Sequence, residues 1–238
     1  FIASEDDRTK LALQSGEKIN FSPTKKFKLT IDSADIVNKG AVPPEMQNRI
    51  VNSIEWTVKQ NYLYKNDLML LDLIATNNWE RPIYFANPSS MSKVLDVDKY
   101  CHLEGFVYKF MPVKARNYIS GVGGVNEEKS YDIFMNKCQW GNLNDPDVYV
   151  DRESKRNSVM PKQNIMRTAQ AMVDKDRNEE AIELLDMCLV QFPDEKFTFD
   201  MYMIPFIDVY YSAGAPEKAN AITEQVFEIY KENIRYYN

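Results

Sequence analysis

The chain has 238 residues, of which 44% are hydrophobic and 27% are charged, so it can form one large packed domain or two small ones. Its formal net charge of −6 argues against nucleic acid or an anionic membrane as a partner, because both attract basic patches. The densest basic run, residues 23–28, is interpreted as a solvated surface segment.

Three cysteines, Cys101, Cys138 and Cys188, are too few and too scattered for a disulfide framework, and a Cys101–Cys138 bridge is left open. There is no apolar run of roughly 18–20 residues, the length that spans a bilayer, and no signal-peptide pattern. Because the first residue is Phe1 and not Met, we expect the chain to be a piece of a longer protein.

Apolar residues alternate with polar ones through much of the first 60 positions. This period of two predicts a β-hairpin over residues 9–21, with its turn at Gly16, and a third strand around residues 27–31. A fourth strand is predicted over residues 54–58, with the end of a helix that starts at Glu45 as the alternative.

Helical spacing follows from Asn66 or Asp67, either of which can cap a helix that ends at Asn77. The elements predicted next are, in order, a short buried strand (residues 81–86), a second strand (105–113), a flexible glycine loop (121–124) and a short helix (129–138).

The remainder is helical in character. The predicted helices cover residues 161–174, 178–191, 196–212 and 216–236. The fold class is therefore mixed α+β. A small α/β domain with a mixed sheet, residues 1–150, precedes an all-α domain of helical hairpins, residues 151–238.

Candidate chemistry is sparse. His102 is the only histidine, which excludes two-histidine metal sites, and no G-x-S-x-G motif accompanies it, so we interpret it as an ordinary residue before a strand. The turn at residues 142–147 lacks the glycine and distal glutamate of a calcium loop, and residues 121–124 lack the Lys-Ser/Thr pair of a P-loop. We predict no metal, no cofactor and no catalytic residue.

The helical half resembles tetratricopeptide repeats, which stack helical hairpins into a concave surface lined by the first helix of each pair. The resemblance rests on Ala169, Ala181, Leu185, Cys188 and Pro193, and then on Tyr210, Gly214 and Ala219. It implies a groove for a protein or peptide partner. On this template the groove residues are Gln163, Gln170, Asp174, Asp208 and Tyr211.

A second resemblance covers nearly the whole chain and rests on strings such as "KNDLMLLDLIATNNWERPIYFANP" and "LEGFVYKFMPV". These strings are similar to the soluble C-terminal region of a family of Gram-negative bacterial multi-pass membrane proteins of unknown function, whose membrane part is similar to protein O-mannosyltransferase-like glycosyltransferases. The resemblance implies that any transferase chemistry belongs to the N-terminal membrane domain. We therefore expect a non-catalytic appendage on the periplasmic side of the inner membrane, which binds an acceptor protein or a partner subunit.

The alternative hypothesis is an independent small-ligand-binding or enzymatic α/β domain. Its site would lie at the loops around the strand at residues 82–86. The candidate ligand residues are Asn78, Glu80, Arg81, Asn87 and Ser89, with Ser90 beside them. In the structural interpretation of the same segment, Arg81 instead pairs with Glu80 or a helix end and Trp79 seals the core.

Overall fold

The computed structural model describes residues 4–16, 21–87, 96–115 and 122–237. These residues form a mixture of helices and two small sheets, which confirms the α+β class. The α-helices are α1 (Glu5–Ser15), α2 (Ser33–Asn38), α3 (Lys65–Thr76), α4 (Glu127–Asp132), α5 (Arg152–Asn157), α6 (Val159–Val173), α7 (Asn178–Gln191), α8 (Ile204–Ser212) and α9 (Pro216–Tyr237). The strands are β1 (Lys26–Thr30), β2 (Ser53–Thr57), β3 (Ile83–Phe85), β4 (Cys101–Glu104), β5 (Val107–Phe110) and β6 (Gly124–Val125).

Four shorter turns of helix complete the set. Three are 3-10 helices, at Pro44–Arg49, Val97–Tyr100 and Met201–Met203, and one is a π-helical turn, at Ile133–Lys137. Within the described ranges, no helix combines the length and the apolar character needed to cross a bilayer.

The hairpin predicted over residues 9–21 is wrong, because most of this segment belongs to helix α1. Ser4 caps the helix by accepting a hydrogen bond from the backbone N–H of Asp7, and Gly16 ends it with a left-handed φ of 80°. Gly16 is therefore a helix stop and not a hairpin turn. Positions 17–20 of the predicted second strand lie outside the described residues.

The chain divides into two compact units. Unit 1 comprises Phe1–Ile83, Pro88–Tyr100 and Met111–Lys114, and unit 2 comprises Tyr84–Asn87, Cys101–Phe110 and Ala115–Asn238. Because unit 2 takes in strands that precede residue 150, these units differ from the two predicted domains. The domain boundary near residue 150 stays a prediction.

Unit 1 contains the antiparallel ribbon β1–β2, and both of its strands were predicted. Phe27 lies opposite Trp56 on the apolar face, while Lys26 lies opposite Thr57 and Lys28 opposite Glu55 on the polar face. The predicted helix after this ribbon is also present as α3. Its N-cap is Tyr64, whose backbone N–H is bound by the Asp67 carboxylate. The buried apolar residues of unit 1 include Ile31, Ile36, Val42, Met46, Ile54, Trp56, Leu71, Ile74, Val97, Met111 and Val113.

Unit 2 contains a four-stranded sheet in the order β3-β5-β4-β6, in which β4 pairs antiparallel with β5 and parallel with β6. The strand predicted over residues 105–113 forms only over Val107–Phe110, as β5, and the preceding strand β4 was not predicted. Gly105, with a φ of 67°, starts a two-residue turn between β4 and β5. The strand predicted at residues 81–86 forms as β3, but it lies at the sheet edge and is only partly buried.

The helices of unit 2 pack in pairs, α6 against α7 and α8 against α9, and α6 also contacts α8. The predicted helix at residues 178–191 has the bounds of α7. The one predicted at residues 196–212 begins only at Ile204, because Pro205 occupies the first turn and cannot continue a preceding helix. The core between these helices includes Ile165, Ala169, Met172, Ala181, Leu184, Leu185, Cys188, Phe206, Val209, Tyr210, Ala219 and Ile222.

Candidate functional site

Three of the predicted groove residues belong to the first helix of the first pair, α6, or its C-cap. Gln163 and Gln170 are half-buried on α6, and Asp174 is the exposed C-cap. The side-chain amide of Gln170 donates to Asp174 Oδ1 at 3.1 Å. Residues four or seven apart share one side of a helix, so these three side chains lie on the same face.

The same face of α6 carries Arg167, which is only 3% exposed. Its guanidinium donates to the hydroxyl of Tyr108 at 2.7 Å and to the backbone oxygens of Val122 at 2.9 Å and Gly123 at 3.2 Å. The sheet side of unit 2 therefore covers the middle of this face. What remains open lies toward the C-terminal end, at Gln170 and Asp174.

Helix α8 carries the other two predicted groove residues. Asp208 is exposed, and Tyr211 is 48% exposed, with its hydroxyl donating to the side chain of Asn220 on α9. Ile204, one turn before Asp208, is 51% exposed on the same face. This outer face of α8 consequently presents two apolar side chains on either side of a carboxylate.

Those residues of the predicted alternative ligand site that the structure describes are solvent-exposed. Asn78, Glu80 and Arg81 lie in the turn after α3 in unit 1, and Asn87 follows β3 in unit 2. Ser89 and Ser90 lie outside the described residues. Asn78 has a φ of 48°, and its backbone oxygen accepts a hydrogen bond from Lys39. The ligand site at these residues stays a prediction.

A buried polar cluster surrounds Glu104, and the sequence pattern did not predict it. Glu104 is 5% exposed, and its two carboxylate oxygens accept hydrogen bonds from the Tyr84 hydroxyl at 3.0 Å and the Asn126 amide at 2.9 Å. Burial, together with the Glu104 charge and hydrogen bond, raises the pKa of Tyr84 to about 12. The string "HLEG" contains no sign of these partners, which are about twenty residues away in either direction.

Further hydrogen bonds surround this cluster. Ser130 Oγ donates to the Leu103 oxygen at 3.1 Å and accepts from the Gly105 N–H at 3.0 Å, while the Asn164 amide of α6 donates to the Gly105 oxygen at 3.1 Å. Each of these polar groups is engaged within the chain. The arrangement fixes α4 and α6 on the β4–β5 turn, and it leaves the Glu104 carboxylate committed to structural partners.

His102 lies within β4 itself and is 1% exposed. It pairs with Gly124 across the β4–β6 ladder, and a Cβ added at Gly124 would lie 2.6 Å from His102 Nδ1. The predicted flexible glycine loop is therefore wrong at Gly124, which is a strand residue that must be small. Gly121 lies outside the described residues.

The described residues contain no group of three or more His, Cys, Asp or Glu side chains that could hold a metal ion. All three cysteines are free, so Cys101 and Cys138 are not bridged. Cys138 and Cys188 both have a raised pKa because of burial, and the pKa of Cys188 reaches about 12. Neither thiol therefore resembles an activated nucleophile.

A cleft of about 460 Å³ opens in unit 1 beside the β1–β2 ribbon, and we refer to it as the lysine cleft. It is lined by Lys26, Phe27, Lys28, Glu55, Trp56, Thr57, Lys59, Asp96 and Lys99. Lys28 pairs with Glu55 at 2.9 Å, while Lys59 and Lys99 pair with opposite oxygens of Asp96 at 2.9 and 3.2 Å. From the sequence, the basic run at residues 23–28, which contributes Lys26, Phe27 and Lys28 to this cleft, was interpreted only as a solvated surface segment.

A family model described as TMEM260-associated domain 2 matches residues 1–132, which is more than half of the chain. No curated protein and no solved structure gives a significant match. The matched range contains all of unit 1, the four-stranded sheet and α4, and it ends at the last residue of that helix.

Proposed function

The chain belongs to the TMEM260-associated domain 2 family, and we propose that it is a non-catalytic accessory region that binds a protein partner through its helical half. In this proposal the helices after α5 form tetratricopeptide-like hairpins, and the region is the extracytoplasmic appendage of a membrane glycosyltransferase-like protein. The family match supports an accessory domain, and the resemblance of the strings at residues 65–88 and 103–113 supports the link to a membrane protein.

The outer face of α8 carries the proposal. Ile204, Asp208 and Tyr211 follow one another at intervals of four and three residues, so they share one side of the helix. The opposite side of this nine-residue helix is buried in the core of unit 2. Ile204 and Tyr211 are two half-exposed apolar side chains on the solvent side of an amphipathic helix, and such an arrangement is typical of a contact surface for another protein.

The packing of the helices supports the comparison with stacked hairpins. Each helix of a pair contacts its partner, and the two first helices, α6 and α8, contact each other. Gln170 and Asp174 can extend the α8 face at the end of α6. Gln163 contributes less, because Arg167 beside it is turned toward the sheet.

The charge of this surface favours one chemistry for the partner. Asp208 and Asp174 are exposed carboxylates, and the whole chain has a net charge of −6. A complementary segment would carry lysine or arginine beside an apolar side chain that contacts Ile204 or Tyr211. We therefore propose a basic segment of an acceptor protein or a partner subunit as the occupant.

Site-specific photo-crosslinking tests this surface. A benzophenone amino acid replaces Tyr211 in the full-length protein in its native membrane, and the matched control carries it at Tyr149, which is 88% exposed in the connector before α5. We expect a discrete crosslinked protein from position 211 and none from position 149. In purified form that protein should bind Asp208→Asn about three- to tenfold more weakly. Crosslinking at neither position, or equal crosslinking at both, would refute the assignment.

The proposed location has a separate test. If the region faces the periplasm, protease added to intact spheroplasts should cleave it, as detected with an antibody against the α9 segment. A cytoplasmic adaptor would be cleaved only after the membrane is broken. Protection in intact spheroplasts would therefore contradict the extracytoplasmic part of the proposal without affecting the partner surface.

A further inference from the structure

We propose that the lysine cleft binds a phosphate group, carried either by a small soluble molecule or by a lipid headgroup. The cleft belongs to unit 1, so this inference uses none of the residues of the proposed partner surface. A volume of about 460 Å³ lies within the range of pockets that bind small ligands.

The charge of the cleft is opposite to that of the chain. Four lysines and two carboxylates line it, which leaves an excess of two positive charges, whereas the whole chain has a net charge of −6. A concave site with a net excess of one sign of charge concentrates ions of the opposite sign. The cleft therefore attracts anions, although the chain as a whole is acidic.

The excess positive charge is concentrated at one end of the ribbon. Lys28 is neutralised by Glu55, but Lys59 and Lys99 share the single carboxylate of Asp96. Lys26 forms no ion pair with any part of the chain that the structure describes. It lies directly opposite Thr57, whose exposed side chain adds a hydroxyl two residues before Lys59.

Asp96 organises the two lysines that share it. Burial alone raises its pKa, but the hydrogen bonds and charges of Lys59 and Lys99 outweigh that effect, so the pKa of Asp96 is lowered. Asp96 also has a left-handed φ of 50°, a conformation that L residues seldom adopt without a reason. The carboxylate thus holds two ammonium groups at the cleft before any ligand arrives.

Phosphate suits this set of donors better than a single carboxylate does. Several ammonium groups act as point charges toward anions. A phosphate has two non-bridging oxygens in a diester and three in a terminal group, so it can contact more than one lysine and the Thr57 hydroxyl. The group can come from a soluble phosphate compound or from a phospholipid. These two sources are separated by the choice of probe.

Two probes test the proposal on the purified chain and on its Lys26→Gln/Lys59→Gln variant. Inorganic pyrophosphate is titrated by calorimetry, and phosphatidylglycerol vesicles are tested by flotation against phosphatidylcholine vesicles. We expect binding that weakens with salt and falls about tenfold or more in the double variant. Lys155→Gln, an exposed lysine on α5, is the matched control, and circular dichroism verifies folding of both variants.

Each result decides the proposal. Pyrophosphate binding that is lost in the double variant but kept in Lys155→Gln supports a soluble phosphate ligand. Flotation with phosphatidylglycerol that is lost in the same way, without pyrophosphate binding, supports a headgroup. The proposal is overturned if neither probe binds the unmodified chain, or if the double variant binds as tightly as the control.

Discussion

Arg167 makes a direct test of how α6 is held on the sheet of unit 2. Its guanidinium is 3% exposed and donates to Tyr108 Oη and to the backbone oxygens of Val122 and Gly123. No carboxylate among the described residues pairs with it. Replacing it by methionine keeps an unbranched side chain with similar helix propensity, but removes the charge and all three hydrogen bonds.

The expected loss follows from these contacts. Hydrogen bonds to a charged group contribute about 1.5–3 kcal/mol each, so three of them amount to roughly 6 kcal/mol before any compensation. Two effects reduce this figure: the half-buried carbonyls of Val122 and Gly123 regain water, and a cation no longer has to be buried without a counter-ion. We therefore expect the variant to lose about 2–4 kcal/mol of unfolding free energy, which for a chain of this size lowers Tm by roughly 6–12 °C.

Urea unfolding and thermal melting followed by circular dichroism measure this loss. Arg156→Met is the control, because Arg156 is exposed on α5 and its ion pair with Glu153 is solvent-screened. Arg167→Lys keeps the charge but not the planar fork, so it should recover less than half of the stability. In hydrogen exchange, the amides of β6 should exchange faster in Arg167→Met. A melting point for Arg167→Met equal to that of Arg156→Met would refute the reasoning.

Three further variants or probes test other contacts. The pKa of the Tyr84 hydroxyl is raised to about 12 in the folded chain, whereas in the unfolded chain this hydroxyl ionises near pH 10. The unfolding free energy should therefore fall as the pH rises from 10 to 12, and Tyr84→Phe should reduce that fall. Gly105→Ala should lower the unfolding free energy by about 1 kcal/mol or more beyond the loss caused by Gly214→Ala. Both glycines have a positive φ, but of the two new Cβ atoms only the one at Gly105 meets another side chain, at 2.8 Å. Iodoacetamide should label Cys188 only after unfolding, because burial raises the pKa of this thiol to about 12.

These three tests have clear contrary results. If the unfolding free energy of Tyr84→Phe falls between pH 10 and 12 as much as that of the unmodified chain, the Tyr84 hydroxyl does not titrate differently in the folded and unfolded states. Equal losses for the two glycine variants, read from urea midpoints, would mean that the neighbouring side chain moves away without cost. Mass spectrometry measures the rate of labelling. If Cys188 is labelled as fast in the folded chain as in a denatured sample, it does not lie in the helical core.

Local signals predicted the helical half well. The bounds of α7 follow from two glutamates in its first turn and from Pro193 just beyond its end, and its apolar spacing reports which side is buried. For α8, the predicted helix began at residue 196, before the observed start at Ile204. Pro205 was the stronger local signal, since it marks a first turn and not a helix interior.

The error at the N-terminus has a physical cause. Alternation of Leu11 and Leu13 indicates a strand only if one side of the segment is buried, and Leu13 is 84% exposed. The capping residues Ser4 and Asp7 and the stop at Gly16 carried the correct information. Where no core contact decides, capping is a better guide than alternation.

The lysine cleft and the Glu104 cluster could not be predicted in the same way, because they depend on long-range pairing. The lysine cleft requires Lys26 to lie opposite Thr57, and Lys59 to reach Asp96, 37 residues further along the chain. The Glu104 cluster likewise depends on Tyr84 and Asn126. A run of basic letters or a lone glutamate contains no information about such partners until the strands are in register.

The position of α6 also sets where this chain can be divided. The family match stops at Asp132, yet Asn164 and Arg167 of α6 hold the β4–β5 turn and the backbone before β6. A recombinant fragment ending at residue 132 would keep the sheet and lose the helix that shields it, which invites aggregation. Expression of this domain should therefore extend through α6, beyond the end of the family match.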